Sequence, residues 1–389
     1  MLPSDPSDDS LSSPTPKIAV IYIIAGNGHI TPAKAIAQAC QKVGYDVELF
    51  NFFDIIHAPI GDRFNRHFWR FELRFHSFER SFNAFLDKGD FAANRIPGTV
   101  AKRKMHFKRW IEKTKPDCII TTVYFASLAI PEFLRSVNRS DIPVFAYNPD
   151  IFFSLRCSIN PHLAKHFSST QEGLEDSIIK GQPENTADLC AFPIRSNFLT
   201  HECLSMTEAR NRLGLAPDTF TILLNMGGEA IGTSRLLREI TRLHLPLQVI
   251  VLGKISKYSQ KKSKQIDEKS HGQLKILAPG YVDDVMTYLQ ATDIVVGKPG
   301  ANAIGEALFA RKPFLMTYLM NNSEYQIAYL RKHGVGWYAK GSKNQAAIIK
   351  HCIEHPEALE EIQNNFDTLP LKFGASDLME AIQKIQNWN

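Results

Sequence analysis

Residues 280–316 read GYVDDVMTYLQATDIVVGKPGANAIGEALFARKPFLM. A Gly-Tyr-Val turn leads into a helical pattern. The apolar run DIVVG (293–297) then ends on Lys-Pro-Gly, a second helical pattern carries Glu306, and another apolar run, KPFLMTY, starts at 312. Short apolar runs separated by helices describe parallel strands covered on both faces. A strand ending in glycines that open a helix is also a place for phosphate. The unpaired N–H groups of the first turn and the helix dipole point at whatever sits there.

The same arrangement recurs upstream. TFTILLNM (219–226) runs into the glycine turn NMGGEAIGTS (225–234), and IAVIYII (18–24) runs into AGNGHITPAKA (25–35). Further strand candidates are YDVELF (45–50), DCIITT (117–122), IPVFAY (142–147) and LQVIVLG (247–253). Because the pattern starts over near residue 219, two consecutive Rossmann-like halves are the economical reading, with a hinge near PIRSNF (193–198). Length agrees, since 389 residues with 44% hydrophobic content exceed one ordinary core.

Composition removes several classes. The six cysteines show neither a C-x-x-C pair nor metal-ligand spacing, so a reducing compartment fits and a zinc site does not. The opening MLPSDPSDDSLSSPTP has no basic n-region and no apolar h-region, which favours a flexible tail over a signal peptide. No apolar run approaches the ~18–20 residues that span a bilayer. The net charge of +5 raises nucleic acid as a partner, but the basic clusters lack a recognisable nucleic-acid module and none is expected.

The first glycine turn has two readings of its own. Glu48, about twenty residues on, would suit the ribose acid of a dinucleotide site, yet Thr31 and Pro32 stand where that fingerprint needs its third glycine. His29, at the start of the helix, either caps it locally or is a reactive group facing a ligand.

In order and spacing, the motifs A-G-N-G-H-x-x-x-A-K-A (25–35), F-P-I-R-S-N-F (192–198), L-L-N-M-G-G-E-A-I-G (223–232), G-Y-V-D-D-V (280–285) and K-P-G-x-x-x-x-x-E-A-L (298–308) resemble the GT-B glycosyltransferases. More narrowly, they resemble the branch of diacylglycerol glucosyltransferases, monogalactosyldiacylglycerol synthases and the lipid II N-acetylglucosaminyltransferase. The resemblance implies an α/β fold of two facing Rossmann-like domains with an interdomain cleft. Its division would be a tail (1–16), an acceptor and membrane domain (17–196), a UDP-sugar domain (197–372) and a C-terminal helix (373–389) that packs back on the first domain. The implied donor is a UDP-hexose and the implied acceptor diacylglycerol or a similar lipid, with a polyprenyl-linked acceptor as the rival. No metal or other cofactor is implied.

The resemblance also assigns residues. Backbone N–H groups of Gly227 and Gly228, and of Gly300, Ala301 and Asn302, would meet the diphosphate, whose charge grows as the glycosidic bond breaks. Glu306 would accept both ribose hydroxyls, the Val282 backbone would read uracil, and Asn322, Glu324 and Gln326 would hold the sugar. Gly28 would face the acceptor, and His29 or Asp150 would take its proton, an imidazole being well matched to that work. The lipid branch usually has Asp where this chain has Asn148, and Gly and Thr where it has Ala301 and Ala303. A form of the fold that has kept the nucleotide but lost turnover is therefore a second expectation.

The acceptor side has one more signal. Phe64, Phe68, Phe71, Phe75, Phe78, Phe82 and Phe85 recur at gaps of four and three, among Arg63, Arg66, Arg70 and Arg74. Residues 61–115 hold fourteen Lys/Arg against six Asp/Glu. The stripe reads either as the buried face of a long helix or as a basic, aromatic surface lying on anionic lipid, which would place the chain peripherally at a cytoplasmic membrane face.

Overall fold

The computed structural model describes residues 15–74, 78, 81, 91–226, 233–253, 261, 264–265, 267–268, 272–320 and 323–388. The first part runs β1 (Lys17–Tyr22), α1 (Ile30–Lys42), β2 (Asp46–Asn51), α2 (Phe52–Ile55), α3 (Pro59–Arg74), α4 (Phe91–Thr114), β3 (Cys118–Thr121), α5 (Tyr124–Ser136), β4 (Val144–Tyr147), β5 (Lys165–Ser168), α6 (Gln171–Ile179) and β6 (Ala187–Leu189). Its sheet is parallel, in the order β2-β1-β3-β4-β5-β6.

After α7 (Ser196–Leu199) and α8 (Met206–Arg212) the second part runs β7 (Thr221–Asn225), α9 (Thr233–Thr241), β8 (Leu247–Leu252), β9 (Leu274–Gly280), α10 (Val285–Gln290), β10 (Ile294–Gly297), α11 (Ala301–Phe309), β11 (Phe314–Met316), α12 (Ser323–Lys332), β12 (Gly336–Tyr338) and α13 (Ser342–Glu354). Its sheet, also parallel, has the order β12-β11-β10-β7-β8-β9. The chain closes with α14 (Glu357–Asn365) and α15 (Ser376–Gln386).

The expected strands at the centre of each sheet form because they can be buried on both faces. LQVIVL and IVVG are buried at every position, as are CIIT and VFAY. The helices between them bury one stripe each: α1 turns Ala33, Ile36, Ala37 and Cys40 inward, the spacing of one helical face.

Strand order places the sites. In the first sheet the direction of winding reverses between β1 and β3, and in the second between β7 and β10. Ligands of open parallel sheets bind beyond the carboxyl ends of strands at such a reversal. The turn carrying His29 follows β1, and Lys-Pro-Gly follows β10.

One core cluster joins the halves, running from Ile18 and Phe145 through Phe192 and Phe198 to Leu223, Val295, Leu378 and Ile382. The last helix, α15, lies against the first part of the chain. Met379 Sδ is 3.1 Å from Cys40 Sγ, Gln383 Nε2 donates to Tyr45 Oη at 2.8 Å, and Trp388 packs edge-on to Tyr45.

Candidate active site

His29 stands at the N-terminus of α1, yet its side chain caps nothing. Its ring is buried. Nδ1 donates to the carbonyl of Thr122 at 2.6 Å, and the Thr122 hydroxyl returns a bond to the His29 carbonyl at 2.8 Å. This reciprocal pair across the β1/β3 reversal fixes the tautomer, leaving the lone pair on Nε2. Burial pushes the imidazole down to about 4, so it is neutral at physiological pH. The capping alternative for His29 is not what the structure shows.

The other face of the ring meets Tyr124, edge-on at 4.8 Å between centroids. The Tyr124 hydroxyl donates to the Asp150 carboxylate. Burial raises Asp150 to about 6, against the opposing pull of that hydrogen bond. Asn148 is structural here: its amide nitrogen donates to the carbonyls of Asp150 (3.0 Å) and Phe153 (2.7 Å) and to Ser154 Oγ (3.0 Å). An ionised aspartate has no proton to give these acceptors. The amide thus holds the loop that presents Asp150.

Across the cleft, Glu306 projects from α11 and pairs with Arg195 of the hinge at 3.0 Å. Burial lifts its carboxyl above the ordinary range while the guanidinium opposes the shift. Arg195 also lies over the Phe198 ring. A glycine makes this approach possible, because a Cβ on Gly305 would fall 2.6 Å from the Phe192 ring. Asn197 of the hinge and His201, just after α7, hold the 280–285 turn: Asn197 Nδ2 donates to Asp283 O (3.4 Å), and His201 Nε2 lies 2.9 Å from Asp284 Oδ1. Val282 sits half-buried within that turn.

The phosphate turn differs in one respect from expectation. The N–H of Gly300 donates to Lys298 O at 2.8 Å, so it is engaged within the turn. Ala301, Asn302 and Ala303 open α11, and the N–H groups of a first helical turn have no partner inside the helix. The Lys298 stem lies beside Gly300, and burial lowers its ammonium to about 8. Asn302 reaches across the cleft: its Nδ2 donates to Asn27 O, in the His29 turn, at 2.8 Å. Gly28 beside it is exposed, with open space where a side chain would be.

The sugar segment is only partly assembled. Glu324 is exposed in the first turn of α12, whereas Gln326 is buried, and residues two apart on a helix do not share a face. The Glu324 and Gln326 side chains therefore leave α12 on different sides. Tyr325 stacks on Phe153 across the cleft (5.5 Å), which brings the start of α12 beside the Asp150 loop. Gly227, Gly228 and Asn322 lie outside the described residues.

Among the described residues the phenylalanine stripe is not a buried face. Phe64, Phe71 and Phe78 are 66%, 44% and 43% exposed, Phe68 is half-buried, and Ile60 on the same helix is exposed. Phe64 stacks on Phe68, and Phe78 packs edge-on to both Phe68 and Phe71. Phe75, Phe82 and Phe85 lie outside the described residues, as do the side chains of Arg70 and Arg74. Among the described residues no group of three His, Cys, Asp or Glu side chains could hold a metal ion, and no helix is long and apolar enough to cross a membrane.

Thr122, Tyr124, Arg195 and Asn302's side chain are the participants that sequence reasoning missed. The first two lie in and after a strand read only as apolar. The hinge motif was legible, but nothing in it pointed Arg195 at Glu306, 111 positions away.

No protein-family model matches the chain. It is similar to a processive diacylglycerol beta-glucosyltransferase of Bacillus pumilus, 21% identical over 94% of each chain. It is also similar to a UDP-N-acetylglucosamine–N-acetylmuramyl-(pentapeptide) pyrophosphoryl-undecaprenol N-acetylglucosamine transferase of Clostridium botulinum, 26% identical over 92% of this chain and 96% of that one. Among solved structures, MurG of Acinetobacter baumannii superposes with a TM-score of 0.63 at 14% identity, covering 95% of this chain and 99% of the other. A UDP-GlcNAc 2-epimerase of Neisseria meningitidis bound to UDP-GlcNAc gives 0.60 at 14% identity, over 95% and 100%. The fold is the GT-B fold, and the likeness to glycosyltransferases runs nearly the full length of the chain. The epimerase shows that this fold alone does not decide the reaction.

Proposed function

We propose that the chain is an inverting, metal-independent glycosyltransferase that moves a hexose from a UDP-sugar to diacylglycerol at a membrane face. The observation that carries this reading is the Asn302–Asn27 contact. It brings the helix of Glu306 and the turn of His29 within one side chain's reach across the cleft. The diphosphate would lie on the first turn of α11 beside Lys298, where backbone N–H groups and an ammonium offset the growing charge without a metal. The ribose diol would replace Arg195 on Glu306. The acceptor hydroxyl would attack the anomeric carbon from the side opposite UDP and give its proton to His29 Nε2 or to Asp150, and the bond to UDP would break as the new one forms.

The lipid acceptor is supported by the names of the relatives and by the exposed aromatic face. Arg103 of α4 donates to His57 O between α2 and α3, and α4 also carries Lys102, Lys104, Lys108 and Arg109. Such cations contribute about 1 kcal/mol each beside anionic lipid.

Labelled UDP-glucose, UDP-galactose and UDP-N-acetylglucosamine, each with diacylglycerol vesicles or a polyprenyl-pyrophosphoryl acceptor, test the reading. A glycosylated diacylglycerol with stoichiometric UDP is expected. Product on the polyprenyl acceptor alone would select the rival acceptor. UDP binding with no lipid-dependent release from any donor would leave a nucleotide-binding protein without turnover.

A further inference from the structure

Tyr124 is the first residue of α5, immediately beyond the carboxyl end of β3, and it touches both candidate bases. Its ring edge stands against His29, and its hydroxyl donates to Asp150. We propose that Tyr124 is a positioning residue that binds the Asp150 carboxylate and the His29 imidazole into one proton-accepting unit. The proposal rests on the glycosyltransferase reading of the same site.

Each member is held independently from behind. The Asp150 backbone is tied by Asn148, whose Oδ1 accepts its N–H (3.3 Å) and whose amide donates to its carbonyl. Only the carboxyl group is left to turn, and Tyr124 sets its direction. The His29 ring is pinned through Nδ1 to an uncharged carbonyl, Thr122 O, which offers an imidazolium no counter-charge. Tyr124 is the side chain that touches both this ring and the Asp150 carboxylate. Other titratable groups around this pair are the Tyr147 phenol, bonded to Ser169 Oγ at 3.0 Å, and the Cys157 thiol. Burial keeps the Tyr147 phenol neutral at pH 7. Burial and the neighbouring carboxylate raise the Tyr124 phenol well above its ordinary range, so it remains a donor throughout.

The hydroxyl stabilises the ionised form of Asp150, opposing burial. Removing it must move Asp150 upward, and the acid limb of the transfer reaction with it. Tyr124→Phe keeps the ring edge and deletes only this bond. Turnover at pH 7 is expected to fall about 10- to 100-fold, the value of a hydrogen bond to a charged group. Donor KM should be unchanged, the acid limb displaced to higher pH, and activity recovered in part at pH 8–9. Tyr124→Leu, which removes the ring as well, should not recover. Carbon-13 titration of the Asp150 carboxyl, assigned with Asp150→Asn, should show the same upward displacement in Tyr124→Phe without substrate. A Phe variant with the wild-type acid limb and the wild-type Asp150 midpoint would overturn the proposal. Absence of turnover in the wild type would instead overturn the glycosyltransferase reading, and the carboxyl titration would then decide whether Tyr124 governs Asp150.

Discussion

At the scale of single residues, the buried histidines set the chemistry and part of the stability. If His29 Nε2 takes the acceptor proton, His29→Ala should lower turnover by roughly 10²–10⁴ while UDP affinity, measured by calorimetry, stays the same. Near-normal turnover would move the role to Asp150. His166, in the middle of β5, is fully buried, and neither ring nitrogen has a hydrogen-bond partner among the described residues. Burial depresses it, like His29, from 6.5 to about 4. Between those values the unfolded chain binds a proton that the folded one refuses, so stability falls as pH drops from about 6.5 toward 4. The contribution is about 3 kcal/mol for each histidine at full protonation. Asp150, raised by burial, has the opposite slope. His166→Leu isolates the histidine term: its melting temperature should fall less than that of the wild type between pH 7 and 5. Parallel curves would show that His166 does not titrate in this range.

At the scale of elements, α11 and α3 carry the two arguments. The seat of α11 on the hinge depends on Gly305, since any side chain there meets the Phe192 ring. Gly305→Ala should cost about 1–3 kcal/mol of stability by overpacking. It should also weaken UDP binding, because Glu306 moves with the helix, and Phe192→Leu should restore part of both. Unchanged melting and UDP affinity would show that the hinge yields freely. For α3 the question is what covers its aromatic face. Replacing Phe64, Phe71 and Phe78 by Ser removes partly exposed rings that pack on neighbouring rings, so each change should cost about 1 kcal/mol and leave the chain folded. Sedimentation with phosphatidylglycerol vesicles should be lost. Wild-type vesicle binding should weaken with salt, as charges separated beyond a Debye length of ~8–10 Å are screened. A folded triple variant that still sediments would move the membrane surface to α4.

At the scale of the molecule, the two sheets are joined by more than the hinge. Lys332 of α12 pairs with Glu172 of α6 at 2.6 Å, Tyr329 packs on Phe152, and α15 carries the end of the chain back to α1. Leu378 and Ile382 of α15 are fully buried in the core cluster that includes residues of both sheets. Unfolding in guanidinium should therefore be a single transition. Leu378→Ala with Ile382→Ala, at roughly 2–5 kcal/mol each, should separate it into two as the halves lose their shared core. Two transitions already present in the wild type would show that α15 does not couple them.

Periodicity made the central strands legible, because IAVIYI, LQVIVL and IVVG can persist only when buried on both faces. It missed β5, β6, β9 and β12: KHFS, ADL and GWY are three or four residues long and not uniformly apolar, and LKILAPG is broken by Lys275 and Pro279 and buries only Leu274. Such edge and near-edge strands are recruited by neighbours already in place. The glycine turns, Glu306 and His29 were readable because strand, turn and helix are local features, and a parallel sheet brings their ends to one side. The sequence by itself therefore determined two α/β halves and a candidate cleft. Only the tertiary structure decided what stands opposite what: Thr122 beneath His29, Tyr124 between His29 and Asp150, Arg195 on Glu306, Asn302 on Asn27. Those pairings join positions 26 to 275 residues apart. They follow from strand order and domain closure, and no local spacing along a chain encodes them.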